Sequence, residues 1–186
     1  MTTLRRILAA APLALALTTA AHAQTTGTGA PTRPVSFGVA GGLSIPTGDF
    51  GDVLESGFLA GGLLEFTRPA SPIAFRVEVD YQRFSIKDEL DIGSPSDTRV
   101  ISGVANVLYK FAGETARPYL LGGVGLFNVG ATVEGADSEN KFGFNLGAGL
   151  EIPLSGITAF GDIRYQSIQT ENTALNLIPI RVGIRF

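Results

Sequence analysis

Ten ionisable residues of this chain stand at alternate positions inside otherwise apolar runs. Arg76, Glu78 and Asp80 lie in IAFRVEVDYQ, Asp162 and Arg164 in FGDIRYQ, and Arg181 and Arg185 in IPIRVGIRF, while Glu65, Lys110 and Glu151 are single charges in LLEF, VLYKF and GLEI. A period of two is the repeat of a β-strand, whose side chains alternate between two faces, so each of these charges points away from its apolar neighbours. Five cations and five anions gathered on one side of a sheet could line a charged pore, relay protons, or neutralise one another in a buried ion-pair network. A narrow closed barrel has room inside for little more than side chains, and the network is the expected arrangement.

Catalysis has little to work with. The single histidine, His22, falls in an N-terminal segment expected to be removed, and cysteine does not occur. Ser102 has no visible base, and the glycine-rich GGVG at 122–125 precedes no helix, so a phosphate cradle is not expected. The loop acids Asp49, Asp52, Glu55, Asp88, Glu89, Asp91, Asp97, Glu134, Asp137, Glu139 and Glu171 offer hard oxygens with Lys87 as the only base among them. Calcium would suit such ligands, yet their spacing matches no known metal loop. A solvated acidic rim is expected, with no cofactor or metal.

The elements that must position the charges repeat along the chain. Eight segments alternate in this way: 35–45, 58–66, 73–82, 99–111, 119–129, 141–152, 157–166 and the last stretch 177–186. In 73–82 the split is cleanest, with Ile73, Phe75, Val77, Val79 and Tyr81 on one row and Arg76, Glu78, Asp80 and Gln82 on the other. In 119–129 both rows are largely apolar; Tyr119, Leu121, Phe127 and Val129 are expected outward, with Leu120, Gly122, Val124, Leu126 and Asn128 inward. Segments of about ten residues, apolar outward and polar inward, are the pattern of a transmembrane barrel. At about 3.3 Å per residue and a tilt near 40°, ten residues rise roughly 25 Å, the height of the apolar band.

The connections fit that reading. Long links (47–56, 87–97, 132–140, 167–174) alternate with mostly shorter ones (68–72, 112–118, 153–156), as external loops and periplasmic turns should. All four tyrosines, Tyr81, Tyr109, Tyr119 and Tyr165, fall in rows expected outward. Together with Phe66, Phe75, Phe111 and Phe186 at one end and Phe58, Phe127, Phe142 and Phe144 at the other, they predict two aromatic girdles. Inward glycines (Gly38, Gly42, Gly122, Gly143, Gly147, Gly149, Gly183) either leave a ligand cavity or make room for arginines across the barrel.

The N-terminal end carries an address. Residues 1–23 combine Arg5 and Arg6, an apolar run over 7–17 and Ala21-His22-Ala23 before Gln24, the layout of a secretory signal peptide. Residues 24–34, QTTGTGAPTRP, read as a disordered periplasmic leader, and 35–186 as one barrel domain. Removal of 1–23 leaves 12 basic against 17 acidic residues, a net charge of −5, and no basic patch for nucleic acid.

Five runs, SIPTGDFGD (44–52), NVLYKF (106–111), RPYLLGGVG (117–125), GFNLGAGLEI (143–152) and IPIRVGIRF (178–186), resemble the OmpA/OmpX-like group of eight-stranded outer-membrane barrels, which includes many small bacterial barrel-domain proteins. The resemblance covers 35–186 and implies an all-β, eight-stranded antiparallel up-and-down transmembrane barrel in the bacterial outer membrane, without the peptidoglycan-binding domain of longer relatives. It also implies that the row Ile180, Val182, Ile184 and Phe186 is the signal read by the barrel-assembly machinery. Arg83 and Arg99 continue outward rows beyond Tyr81 and Ile101, where the phosphates of lipopolysaccharide would lie. The expected partners are outer-membrane lipid, lipopolysaccharide and the assembly machinery, and a monomer is expected. The leading function is structural or surface-interacting; a narrow solute conduit and a soluble lipocalin-like ligand-binding barrel are the alternatives.

Overall fold

The computed structural model describes residues 34–85, 97–131, 138–169 and 174–186. The signal segment, the leader as far as residue 33 and the loop acids Asp88, Glu89, Asp91, Glu134, Asp137 and Glu171 lie outside the described residues. Eight strands follow in order: β1 (Val35–Thr47), β2 (Gly57–Thr67), β3 (Ile73–Phe84), β4 (Thr98–Lys110), β5 (Arg117–Ala131), β6 (Ser138–Pro153), β7 (Thr158–Gln169) and β8 (Ala174–Arg185), with one short helix, α1 (Asp49–Val53), between β1 and β2. Each strand pairs antiparallel with the next and β1 pairs with β8, closing the barrel.

Polarity is inverted relative to a water-soluble domain. Val182, Leu146 and Leu126 are 67%, 65% and 64% exposed, whereas Arg76 and Glu65 are fully buried. In a bilayer every backbone polar group must be paired within the protein and the outer face must be apolar; the closed ladder and the apolar outer row satisfy both conditions. A lipocalin-type barrel needs the reverse distribution.

One strand departs from the sequence expectation. Tyr119, Leu121 and Phe127 of β5 are buried, while Leu120, Val124 and Leu126 are more than half exposed. Val129 packs inside against the lumenal cluster, Asn128 on the other row bonds Ser138 and Asn140 at the rim, and Gly122 shares the outward row with Leu120 and Val124. The assignment of β5 faces from composition is therefore reversed, and Tyr119 and Phe127 leave the girdles. With both rows apolar, polarity could not decide; the ladder does. Tyr119 stands opposite Lys110, and directly opposed residues share a face.

Polar sequence also conceals strand. β6 begins at Ser138 and β7 runs to Gln169, inside stretches expected to be loop, because ladder bonds continue past the apolar band. At the other end, residues 68–71 form a type II turn, with Pro69 followed by Ala70 at φ 60° and Ser71 N–H donating to the Arg68 carbonyl at 3.2 Å. That turn favours glycine where Ala70 sits, so the alanine holds a left-handed conformation at some local cost.

The lumen is filled unevenly. Near the end that carries the long loops, Leu54, Phe84, Val100, Phe127, Ile168, Leu175 and Leu177 form an apolar plug. The inward glycines at 147, 149 and 183 mark places where neighbours close in. A Cβ on Gly149 would lie 2.3 Å from the Tyr119 ring, one on Gly183 2.5 Å from the Phe160 ring, and one on Gly147 2.8 Å from Arg164 Cγ. Tyr119, Phe160 and Arg164 are the direct ladder partners of these glycines, so the missing side chains admit neighbours on the adjacent strand.

Candidate functional site: the charged lumen

All ten charges singled out in the sequence point into the barrel, and the structure brings them within contact of one another. Toward the end bearing the termini, Glu65 of β2 accepts from Arg76 Nε and Nη2 at 2.9 and 2.7 Å, from Lys110 Nζ at 2.6 Å and from Arg185 Nη1. Glu151 of β6 accepts from the same Lys110 and Arg185, at 2.8 and 3.2 Å. Lys110, Glu65, Arg185 and Glu151 thus form a closed ring of alternating charge. Three cations on one carboxylate are tolerable because the second carboxylate shares two of them.

Deeper in, Glu78 of β3 takes a two-point contact from Arg164, Nη1 at 2.5 Å and Nη2 at 2.9 Å, plus Asn106 Nδ2 at 2.9 Å and Arg181 Nη1 at 3.1 Å. Asp162 holds Arg164 Nε at 2.7 Å and the Tyr119 hydroxyl, which donates at 2.8 Å. Asp80 receives Arg181 Nη1 at 3.2 Å. Arg76 links the two groups, lying 3.6 Å from Glu78 and 3.7 Å from Asp162 with its guanidinium 5.3 and 5.1 Å from the ring centres of Tyr119 and Phe160. Cation–π contact of this kind gains strength where water is excluded. The hydrogen bonding is not saturated, since Arg76 Nη1 and Arg181 Nε have carboxylates at 3.6 to 3.9 Å but no hydrogen-bond acceptor, and Arg181 Nη2 has no acceptor either.

Tyr119 and Phe160 escaped the sequence reading of the site. Tyr119 stands in a row that composition marks as outward, and a phenylalanine in an inner row carries no charge to mark it. The signal that could have found Tyr119 was Lys110: a short hairpin puts residues equidistant from its tip on the same face.

An inverted barrel with an ionic lumen limits the chain to a few families. A family model described as "Outer membrane protein beta-barrel domain" matches residues 9–186. The chain belongs to that family. It is accordingly a bacterial outer-membrane barrel, and solved structures agree on the fold. The neisserial surface protein A, NspA, is 17% identical over 82% of this chain and 96% of its own, with a TM-score of 0.62. A major outer membrane protein from Thermus thermophilus is 16% identical over 83% of this chain and 99% of its own, with a TM-score of 0.51. At these identities the likeness is one of fold. Among curated proteins none matches the chain.

The remaining candidate residues of this family member lie on its outer surface. Ile180, Val182, Ile184 and Phe186 face outward; Phe186 N–H donates to the Phe37 carbonyl at 2.8 Å and its ring stacks on Phe37 at 5.3 Å, holding the last residue against β1. Arg83 and Arg99 are direct partners in the β3–β4 ladder. Arg83 is already engaged by Asp97, through Nε at 2.7 Å and through Nη2, and Arg99 Nε is buried without a hydrogen-bond partner.

Proposed function

We propose that this barrel has a structural and surface-interaction role in the outer membrane, with no catalytic activity and no open conduit. The observation that carries the reading is a lumen occupied at two levels, by an ion-pair network whose members Arg76, Glu65, Glu78 and Arg181 are at most 2% exposed and by the apolar plug beyond it. A hydrated ion would have to displace paired charges and then cross a dry layer. Conduction by the refolded barrel in a planar bilayer tests this reading: no steps above background are expected, and reproducible unitary conductance would overturn it in favour of the conduit.

In this reading the termini lie in the periplasm, the acidic loops face outward as the interaction surface, and the protein acts as a monomer. The row Ile180, Val182, Ile184 and Phe186 serves the assembly machinery during insertion. Arg83 and Arg99 contact lipopolysaccharide: two guanidinium groups placed opposite each other repel, Asp97 engages Arg83, and a phosphate would offer Arg99 a matching pair of acceptors. Replacing both with Gln should weaken lipopolysaccharide association in a salt-dependent manner with the fold intact. Equal binding before and after would reduce the pair to rim charges.

A further inference from the structure

The three short turns at the terminal end surround a vestibule of about 700 Å³. Ligand cavities commonly measure about 300 to 1,000 Å³. The floor is formed by Lys110, Arg185 and Glu151, with Glu65 buried beneath them and Arg76 on its hidden side. The walls bring two more cations, Arg68 from the β2–β3 turn and Arg117 from the start of β5. Glu151 is the only acidic side chain among the lining residues; Glu114, between Gly113 and Arg117 on the β4–β5 turn, is exposed and does not line the cavity. Arg117 uses Nε on the Gly113 carbonyl at 2.9 Å and has no ion pair among the described residues, which leaves its two terminal nitrogens for another acceptor. Phe111 of the outward girdle, with Leu154 and Ile157 of the β6–β7 turn, adds apolar surface at the rim between the cations.

We propose that this vestibule binds a small water-borne organic anion, a carboxylate or phosphate carried on an apolar body. A concave site with surplus positive charge concentrates anions, and the free edge of the Arg117 guanidinium matches two oxygens of either group. The apolar wall selects for the body: a bare inorganic ion would leave Phe111, Leu154 and Ile157 wet, whereas an aromatic or aliphatic ester covers them. The lining residues come from the three turns and the strand ends that meet them, which favours a dissolved ligand over a membrane lipid. The site is a dead end above the ion network and is independent of whether the barrel conducts.

The test is an NMR titration of the full barrel in nanodiscs of uncharged phosphatidylcholine, using phenyl phosphate as probe with phenol and inorganic phosphate as controls. Phenyl phosphate should give saturable shifts at the amides of Gly113, Arg117 and Leu154, at least tenfold tighter than either control. Arg117→Gln should weaken it about tenfold. Arg68→Gln, on a separate turn, should also weaken it, and it carries the test where the first substitution disturbs the 111–116 turn. Absence of saturable shifts, indifference to both substitutions, or equal affinity for inorganic phosphate would each overturn the proposal.

Discussion

Strands β3 and β5 both cross the bilayer and both send side chains into the same ion network, but they do so with opposite kinds of residue. β3 lines the lumen with Arg76, Glu78, Asp80 and Gln82, β5 with Tyr119, Leu121, Gly123, Gly125 and Phe127. The charged row of β3 would be costly if every strand carried one, because burying charge is offset only where an opposite charge or donor meets it. β5 supplies instead a flat ring for Arg76, a hydroxyl for Asp162 and apolar bulk for the plug. The lumen of this barrel is therefore a packed core of mixed polarity, and a lumenal row is defined by what it faces across the barrel.

The largest expected effect breaks the β3 side of that comparison through its partner on β2. Glu65→Ala leaves Lys110 and Arg185 with Glu151 alone and Arg76 with only its longer contacts to Glu78 and Asp162, and removing one member of a buried pair typically costs about 3 to 5 kcal/mol. Denaturant unfolding of the refolded barrel should show a loss in that range; a loss under about 1 kcal/mol would mean that the ten charges do not act as a buried unit.

Next in size is the lipid face. Val77→Arg on β3 and Val124→Arg on β5 should each cost about 2 to 4 kcal/mol near the midplane. Because the chain contains no cysteine, single cysteines at Val124 and Leu121 can be probed with a lipid-soluble maleimide, and only the first should react. Labelling at Leu121 with none at Val124 would restore the β5 faces expected from composition.

The smallest effect sharpens the packing of β5 on β6. Gly149→Ala drives a methyl into the Tyr119 ring and should destabilise by about 1 to 3 kcal/mol, as overpacking does. Combined with Tyr119→Val the penalty should fall but not vanish, because the Gly161 carbonyl oxygen lies 2.7 Å from the same position, and a double-mutant cycle reads the part due to the ring. An unchanged penalty in the valine background would remove Tyr119 from the space above Gly149.

Legibility followed polarity contrast strand by strand. In the segments 73–82, 141–152, 157–166 and 177–186 the charges and amides lay on one row only, and the exposed and buried rows fell as expected. In β5 the rows could not be told apart, and the error carried Gly122, Tyr119 and Phe127 with it. Strand ends were hidden for a related reason, since Ser138 to Asn140 and Ser167 to Gln169 sit above the apolar band where no hydrophobic alternation is required.

The sequence by itself determined the period of two, the apolar outer rows, the eight segments and the set of ten charges, because these are local constraints that the bilayer and the strand impose residue by residue. Only the tertiary structure decided which charges meet. Glu65 collects cations from β3, β4 and β8, and Glu78 is held from β7 at a sequence separation of 86 residues. Those pairings, the inward turn of Tyr119, the apolar plug and the cationic vestibule all depend on barrel closure and on the stagger of its ladder, which brings distant residues to one height and is encoded in no single segment.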